Sequence, residues 1–324
     1  DMYEVLCYDR ALTTTQRQKI EGYLAWKWGL QAQLPSNHPY AYSFPGFGSQ
    51  ARPDNGDALA WESAVYSNSG SVSVGTLAAV NTFCNAIDAA SLRDRFYRLN
   101  LFCGDSDASL VAVRVPLYRG TSLGGTQYGN ALDTNNNFVQ GDYTETGASG
   151  GLIGNTTTKY LDTGLATDAL PQVTTGHLSF WTRGGSVSGV RRPIGSEATA
   201  TANRFFMDRR PAANGGDLVH WGSLAAGDTA DDDTAGLFSG SRTSATDLRF
   251  YKDGAQVGST QAGSATMTAT DKPFFVFAGN QNGTPGVFYE RRMASYSIGD
   301  GMTASQMLAY YNALNTFMGA LSRT

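Results

Sequence analysis

The sequence has little charge and no long apolar run. Charged residues make up 16% of the 324 residues, and the net charge of −4 is spread without long runs of either sign. Nucleic-acid-binding proteins usually carry a basic patch or stripe, and this chain has none. No stretch approaches the roughly 18 apolar residues of a membrane span. We therefore predict neither nucleic-acid binding nor membrane insertion.

Cysteine and histidine are also scarce. The three cysteines, Cys7, Cys84 and Cys103, cannot all pair with one another. Free thiols are among the most buried groups in proteins, so buried thiols are expected, with a Cys84–Cys103 bridge as the alternative. The three histidines lie in separate segments without a spacing typical of zinc ligands. No phosphate-loop motif occurs. We predict a protein that is not an enzyme.

Glycine and short β-like segments are abundant. The 38 glycines and the 41% of hydrophobic residues suit a β-rich extracellular or particle-bound protein with a real core. Segments that favour strands recur between Gly, Asn and Asp turns at Lys159–Gly164, His177–Thr182, Arg204–Asp208, Asp217–Trp221, Asp247–Lys252, Pro273–Ala278 and Val287–Glu290. Asp253-Gly254 predicts a two-residue type I′ hairpin. The spacing of these strands predicts an antiparallel β-sandwich or jelly roll.

A strand-helix pattern occurs twice, at a constant offset of 290 residues. Thr13, Gln16, Leu24 and Gly29 align with Thr303, Gln306, Leu314 and Gly319. The Thr-x-x-Gln spacing is that of a helix capping box. The first copy, residues 3–30, has no sheet of its own to join. It is therefore expected to close a preceding domain or, as the alternative, to add its strand to a neighbouring subunit.

The pattern divides the chain into three parts. Residues 1–48 are predicted to be the C-terminal strand, helix and tail of a preceding sandwich domain. Residues 49–115 are predicted to be a separate helical hairpin, with helices at 57–68 and 76–96. Residues 116–324 are predicted to form one sandwich, closed by a helix at 303–318.

These pieces resemble the concanavalin A-like lectin/glucanase jelly roll in its laminin-G-like branch. The matching pieces are Lys159-Tyr-Leu-Asp-Thr-Gly164, the Phe180-Trp181 strand, the Tyr251-Lys-Asp-Gly254 hairpin and the closing strand with its capped helix. The first copy, with its Leu34-Pro-Ser-Asn-His-Pro-Tyr40 tail, is similar to the end of such domains. The combination, with the segment Phe83–Gly104, resembles large structural proteins of tailed bacteriophages and prophages. The fold hosts many functions, so the resemblance speaks mainly to fold.

The resemblance raises the question of glycoside hydrolysis. Glucanases of this fold carry Glu-x-Asp-x-(x)-Glu on one strand, whereas the six glutamates here are scattered. Retaining hydrolysis needs two carboxyl groups about 5 Å apart. The missing cluster argues against glycosidase activity.

Calcium is the one metal that the sequence suggests, because many laminin-G-like domains bind it; otherwise no cofactor is expected. Asp133, Asn135 and Asn137 place oxygen ligands at positions 1, 3 and 5 of a loop, but Phe138 and Thr144 stand where an EF-hand needs Gly and Glu. The alternative is a solvated turn rich in Asx residues.

A sugar site would use Trp181, Trp221, Arg249 and Tyr251. Planar aromatic rings can stack on pyranose faces, and Arg donates a fork of hydrogen bonds. The alternative is that these aromatic side chains fill the sandwich.

Two functions remain open. In the first, the chain is a structural virion component of a tail, fibre or capsid decoration. Its sandwich modules would contact other virion proteins, further copies of itself or a cell-surface glycan. In the second, it is a secreted bacterial adhesin or carbohydrate-binding protein at the cell surface. The helical segment Phe83–Gly104 and the repeated strand-helix favour the virion.

Overall fold

The computed structural model describes residues 11–41, 53–105, 110–185, 187–199, 201–228, 234–263 and 266–324. The chain divides into two compact units, Asp1–Asp54 and Asn55–Thr324. In the first unit, helix α1 spans Thr14–Lys27, and Gly29 follows with a φ of +68°. The indole of Trp26 donates to the Tyr40 carbonyl at 2.9 Å, which fixes the tail against this helix. The strand predicted within residues 3–10 lies outside the described residues.

The second unit contains the other α-helices and every described strand. The helices are α2 (Gly56–Ser67), α3 (Val74–Ala89), α4 (Val111–Arg114) and α5 (Ala304–Ala320). The strands are β1 (Phe96–Asn100), β2 (Thr134–Asn136), β3 (Tyr143–Thr144), β4 (Gly151–Ile153), β5 (Tyr160–Ala166), β6 (Gly176–Thr182), β7 (Arg191–Glu197), β8 (Phe205–Arg209), β9 (Leu218–Trp221), β10 (Leu224–Gly227), β11 (Gly236–Arg242), β12 (Leu248–Lys252), β13 (Ala255–Gln261), β14 (Pro273–Val276), β15 (Gly279–Gln281), β16 (Thr284–Gly286) and β17 (Arg292–Gly299).

These strands form two sheets. The eight-stranded sheet has the order β13-β12-β11-β6-β17-β4-β3, and β1 also pairs with β17. The nine-stranded sheet has the order β10-β9-β8-β7-β14-β5-β2, with β15 and β16 attached beside β7. The described pairs are antiparallel except for β7 and β15, which run parallel. The predicted antiparallel β-sandwich is confirmed.

The core lies between the two sheets and follows strand alternation. Leu178 and Phe180 of β6 point inward from one sheet, and Val219 and Trp221 of β9 from the other. Phe180 stacks on Phe238 of β11 with ring centroids 5.4 Å apart. Because side chains on one strand alternate between faces, each strand's remaining residues form an outer face.

Helix α5 covers the outer face of the eight-stranded sheet. Ser297, Ser179 and Ser239 lie opposite one another on adjacent strands there, and all three are fully buried. The ring of Trp181 on the same face stacks on Tyr311 of α5 at 6.1 Å and 7°. Thr303 caps α5 and Gln306 reaches back to the Thr303 N–H at 2.9 Å, so the predicted capping box is confirmed.

The structure differs from the sequence prediction in the helical segment. Residues 55–324 form one compact unit rather than a separate hairpin followed by a sandwich. Helix α3 ends at Ala89, before Ser91 with its φ of +54°, whereas the prediction extended the helix to residue 96; Phe96 instead begins β1. Strand β1 pairs with β17. Long-range pairing thus overrides the local helical pattern.

Two further local predictions have opposite outcomes. The Asp253-Gly254 hairpin is confirmed: it joins β12 to β13, with φ values of +50° and +78°. The strand at Val287–Glu290 is wrong, because Val287 has a φ of +52° and the segment only links β16 to β17. None of the described helices is both long and apolar enough to span a bilayer.

Candidate functional site

The residues predicted to bind sugar do not form a common surface. Trp181 is 3% exposed beneath α5, Trp221 is fully buried between the sheets, and Tyr251 is 1% exposed. The Trp221 indole donates to the Val173 carbonyl at 2.8 Å. Only Arg249 is partly accessible, and its guanidinium is paired with Asp247. The prediction fails for the three aromatic residues because the sandwich and its covering helix need them as packing.

The residues predicted to bind calcium are engaged elsewhere. Asp133 is fully buried and pairs with Arg98, whose Nη2 lies 2.7 Å from its Oδ1, while Asn100 donates to its Oδ2 at 2.8 Å. Asn135 closes a local turn through two hydrogen bonds with the Phe138 backbone. The calcium site is therefore wrong at Asp133, since its carboxylate neutralises a buried guanidinium. Among the described residues, no three His, Cys, Asp or Glu side chains cluster as metal ligands.

His177 is hydrogen-bonded to a serine hydroxyl and to a backbone carbonyl, as a catalytic histidine often is, but it is fully buried and has no access to a substrate. His177 accepts from the Ser297 hydroxyl through Nε2 at 2.9 Å, and its Nδ1 donates to the Asp300 carbonyl at 2.7 Å. Burial lowers the pKa of His177 to about 4. The side chain is fully buried beneath α5. This group therefore stabilises the fold as a neutral imidazole.

The outer face of the nine-stranded sheet is different, because it combines large aromatic side chains with ionic ones. Strand register aligns one row of residues across seven strands of this face: Thr134, Asp162, Phe275, Gly195, Phe206, His220 and Ala225. Their sequence neighbours Leu161, Phe274 and Met207 point into the core. The row therefore points away from the opposite sheet.

One end of this face carries an aromatic patch, which we define as Tyr160, Phe275 and Phe288. The ring centroids of Tyr160 and Phe275 are 4.7 Å apart, and those of Tyr160 and Phe288 are 6.4 Å apart. Tyr160 and Phe288 are half-buried, whereas Phe275 is 5% exposed and supports them from below. The Asp162 carboxyl lies on the same strand face, and burial raises its pKa, with the nearby Asp133 adding to the rise.

The middle of the face carries an ion-pair cluster around Arg192. Its Nε lies 2.7 Å from Asp208 and its Nη1 lies 2.9 Å from Glu197. The guanidinium lies over the Phe206 ring at 3.4 Å from the centroid. A Cβ on Gly195 would come within 2.7 Å of the Arg192 side chain, so glycine leaves room for it. The cluster fixes donors and acceptors in place next to the patch.

His220 borders this cluster and stays neutral. Its ring lies 4.5 Å from Phe206, centroid to centroid. Burial lowers its pKa to about 4, and the arginines of the face, including Arg204 and Arg210, add to the effect against the opposing influence of Asp208. The face therefore offers flat apolar rings beside fixed polar groups. That combination fits a ring-shaped, polyhydroxylated ligand.

Sequence reasoning missed the patch, although part of its signal was present. The run Lys159–Gly164 alternates, so Tyr160 and Asp162 had to share a face opposite Leu161. The adjacent pair Phe274 and Phe275 gives no such signal, because two neighbouring aromatic residues fit either face.

Comparisons with known proteins give only distant similarities. No protein-family model and no curated protein matches the chain. A Trypanosoma rangeli sialidase mutant displaying trans-sialidase activity matches at a TM-score of 0.44 and 11% identity, over 74% of this chain and 39% of that one. CBM40 of the Ruminococcus gnavus IT-sialidase, bound to α2,3-sialyllactose, matches at 0.33 and 10%, over 42% and 82%.

A third similarity is to the NanB sialidase of Streptococcus pneumoniae, at a TM-score of 0.34 and 14% identity. It covers 49% of this chain, and the matched part spans 27% of that sialidase. At such scores and identities, these similarities define no ligand or activity for this chain.

Proposed function

We propose that residues 55–324 act as a non-catalytic binding module that takes a glycan on the outer face of the nine-stranded sheet. The observation that carries the proposal is the aromatic patch beside Asp162 and the Arg192 cluster. Tyr160 and Phe288 offer ring faces for a pyranose. Asp162 offers a carboxyl group to its hydroxyls.

The geometry supports binding rather than turnover. Asp208 and Glu197 both pair with Arg192, so each carboxylate is held as the partner of a guanidinium. Retaining or inverting hydrolysis needs one carboxyl group to act as an acid and another as a base or nucleophile. A panel of polysaccharides incubated with the purified protein tests this. Hydrolysis that disappears on substitution of one carboxylate would contradict the proposal.

The shape of the face bears on affinity. A shallow site buries only part of a ligand, so one site is expected to bind a glycan with a Kd on the order of 0.1–1 mM. Many linked copies raise the overall affinity by a factor of about 10²–10⁴. A module of this kind is therefore most useful in a repeated array or on a particle.

We further propose that the chain is a structural component of a tailed-phage virion, where many copies of the module contact other virion proteins or the host surface. The strand-helix repeat and the segment Phe83–Gly104 support this placement through their resemblance to such proteins. Mass spectrometry of purified particles provides the test. Absence of these peptides from particles, with presence in the secreted fraction, would favour the bacterial adhesin instead.

A glycan array with the full chain tests the binding surface. Tyr160→Ala should lose the glycans bound by the wild type, because it removes the ring that stacks. Tyr66→Ala is the matched control, since Tyr66 is a 41% exposed tyrosine on α2 rather than on the sheet. The Tm of both variants is measured in parallel, so that lost binding is counted only for a folded protein. Unchanged glycan binding by Tyr160→Ala would show that this face is not the site.

A further inference from the structure

A cleft lies between helix α2 and the loop of residues 115–131. Trp61 of α2 forms an apolar wall, and its indole donates to the Val115 carbonyl at 3.1 Å, which fixes the ring. The polar groups of the lining come from Asp57, Asn68, Arg93, Arg119, Ser122 and Gln127. The cleft shares no residue with the aromatic patch or the Arg192 cluster.

The two arginines of the cleft differ in how their charge is compensated. Arg93 pairs with Asp57 through two hydrogen bonds, of 2.7 and 2.9 Å, and donates to the Gly120 carbonyl at 2.5 Å. Arg119 donates to the Gly129 carbonyl at 2.8 Å, and in the described part of the chain no carboxylate pairs with it. Its Nε is buried without a hydrogen-bond partner among the described residues.

Burial of Arg119 without a counter-ion is energetically unfavourable. Burial lowers the pKa of Arg119, and the nearby Arg98 guanidinium lowers it further, while the Asp133 carboxylate acts in the opposite direction. A half-buried cation is stabilised by a negative charge placed beside it in the cleft. Because the Asp57 carboxylate in the lining is already paired with Arg93, the charge left without a directly paired partner is that of Arg119, and this favours an anion in the cleft.

The size of the cleft limits what the anion can belong to. Its volume is about 150 Å³. A cavity of about 150 Å³ in another protein holds one benzene molecule, so this volume suits one six-membered ring. The Arg93 guanidinium is held over the Tyr118 ring at 3.9 Å, so the polar wall is fixed before a ligand arrives.

We propose that this cleft binds a carboxylate-bearing ligand the size of one six-membered ring, with Arg119 as the partner of the carboxylate. Trp61 contacts the ring. The proposal is independent of the sheet face, because the two sites use different residues and a different ligand feature.

Isothermal titration calorimetry of the full chain with D-glucuronate, D-glucose and acetate tests the proposal. Glucuronate should bind saturably. Glucose, which lacks the carboxylate, and acetate, which lacks the ring, should each bind at least tenfold more weakly. Glucose binding as tightly as glucuronate would overturn the role of the charge, and no saturable glucuronate binding would overturn the site.

Variants assign the binding to Arg119. Arg119→Gln should weaken glucuronate at least tenfold. Arg183→Gln is the matched control, because Arg183 is also partly buried, donates to a backbone carbonyl and has a pKa lowered by burial. Equal loss in both variants would overturn the assignment.

A second variant keeps the test usable if Arg119→Gln does not fold. Ala60→Leu adds bulk at an exposed α2 position that lines the cleft, so it should leave the Tm unchanged and weaken glucuronate more than acetate. Unchanged glucuronate affinity in this variant would contradict the site. Tyr160→Ala should keep glucuronate binding, which separates a failure of this proposal from a failure of the glycan-binding face.

Discussion

Asp133→Asn should destabilise the sandwich strongly, although it changes the carboxylate only to an amide. Asp133 and Arg98 are both fully buried and form an ion pair at 2.7 Å. Tyr296 also donates to the Asp133 carboxylate, at 2.7 Å from Oδ1. The amide removes the negative charge and places N–H donors where the guanidinium and the hydroxyl donate. Arg98 would then remain as a buried cation without its counter-ion.

The expected magnitude follows from this burial. Breaking a buried ion pair by removing one partner costs about 3–5 kcal/mol. The second unit, residues 55–324, has about 270 residues. At about 2.1 cal/mol/K per residue, its unfolding entropy near the Tm is about 0.57 kcal/mol/K. The Tm should therefore fall by about 5–9 °C.

Urea unfolding and differential scanning calorimetry of the full chain measure the change. Asp271→Asn is the control, because Asp271 pairs with Lys272 at 3.0 Å with its side chain 74% exposed, and it should change stability by less than about 0.5 kcal/mol. Arg98→Met combined with Asp133→Asn should cost less than the sum of the two single changes, since each already breaks the pair. A loss below about 1 kcal/mol in Asp133→Asn would refute the reasoning.

Three further predictions concern other buried groups. Because the native pKa of His177 is lowered from 6.5 to about 4, the unfolded chain takes up a proton first as the pH falls. The His177 contribution to stability should drop by about 3 kcal/mol from pH 6.5 to 4, so urea unfolding of His177→Gln should show a flatter pH dependence than the wild type, with the His220 contribution remaining. Arg323→Lys should lower the free energy of unfolding in urea by about 2 kcal/mol or more. The fully buried guanidinium donates to three backbone carbonyls, and an ammonium group cannot reproduce that geometry. An unchanged free energy of unfolding would contradict this. Cys84 and Cys103 are free and buried, and burial raises the pKa of both thiols. In a Cys7→Ser background, neither should react with a thiol reagent before the protein unfolds. Fast labelling of the folded protein would disprove this prediction.

The features predicted correctly from the sequence depend on a few adjacent residues. The capping box needs only Thr303 and Gln306, which are three residues apart, and the hairpin needs only Asp253 and Gly254. Their chemistry acts within one turn of chain. These local structures therefore form regardless of the tertiary packing around them.

The face of each aromatic side chain was not predictable in the same way. Strand alternation places Trp181 opposite Phe180 but does not say which of the two faces the other sheet. Tyr311 of α5, which covers Trp181, lies 130 residues further along the chain. The role of Asp133 was not predictable for the same reason, because its partner Arg98 lies on β1, a strand that the sequence analysis did not predict.

The two outer faces of the sandwich differ in side-chain size, and this difference decides how closely a helix can approach each face. On the eight-stranded sheet, small serine side chains at Ser179, Ser239 and Ser297 let α5 approach the strands closely, and the Tyr310 hydroxyl reaches Ser179 at 3.5 Å. Tyr160 and its neighbours on the nine-stranded sheet extend well beyond the backbone, so a helix could not lie as close to that face. A helix therefore covers one face of the sandwich, and the bulky, ion-paired side chains of the other face are those on which the proposed glycan site depends.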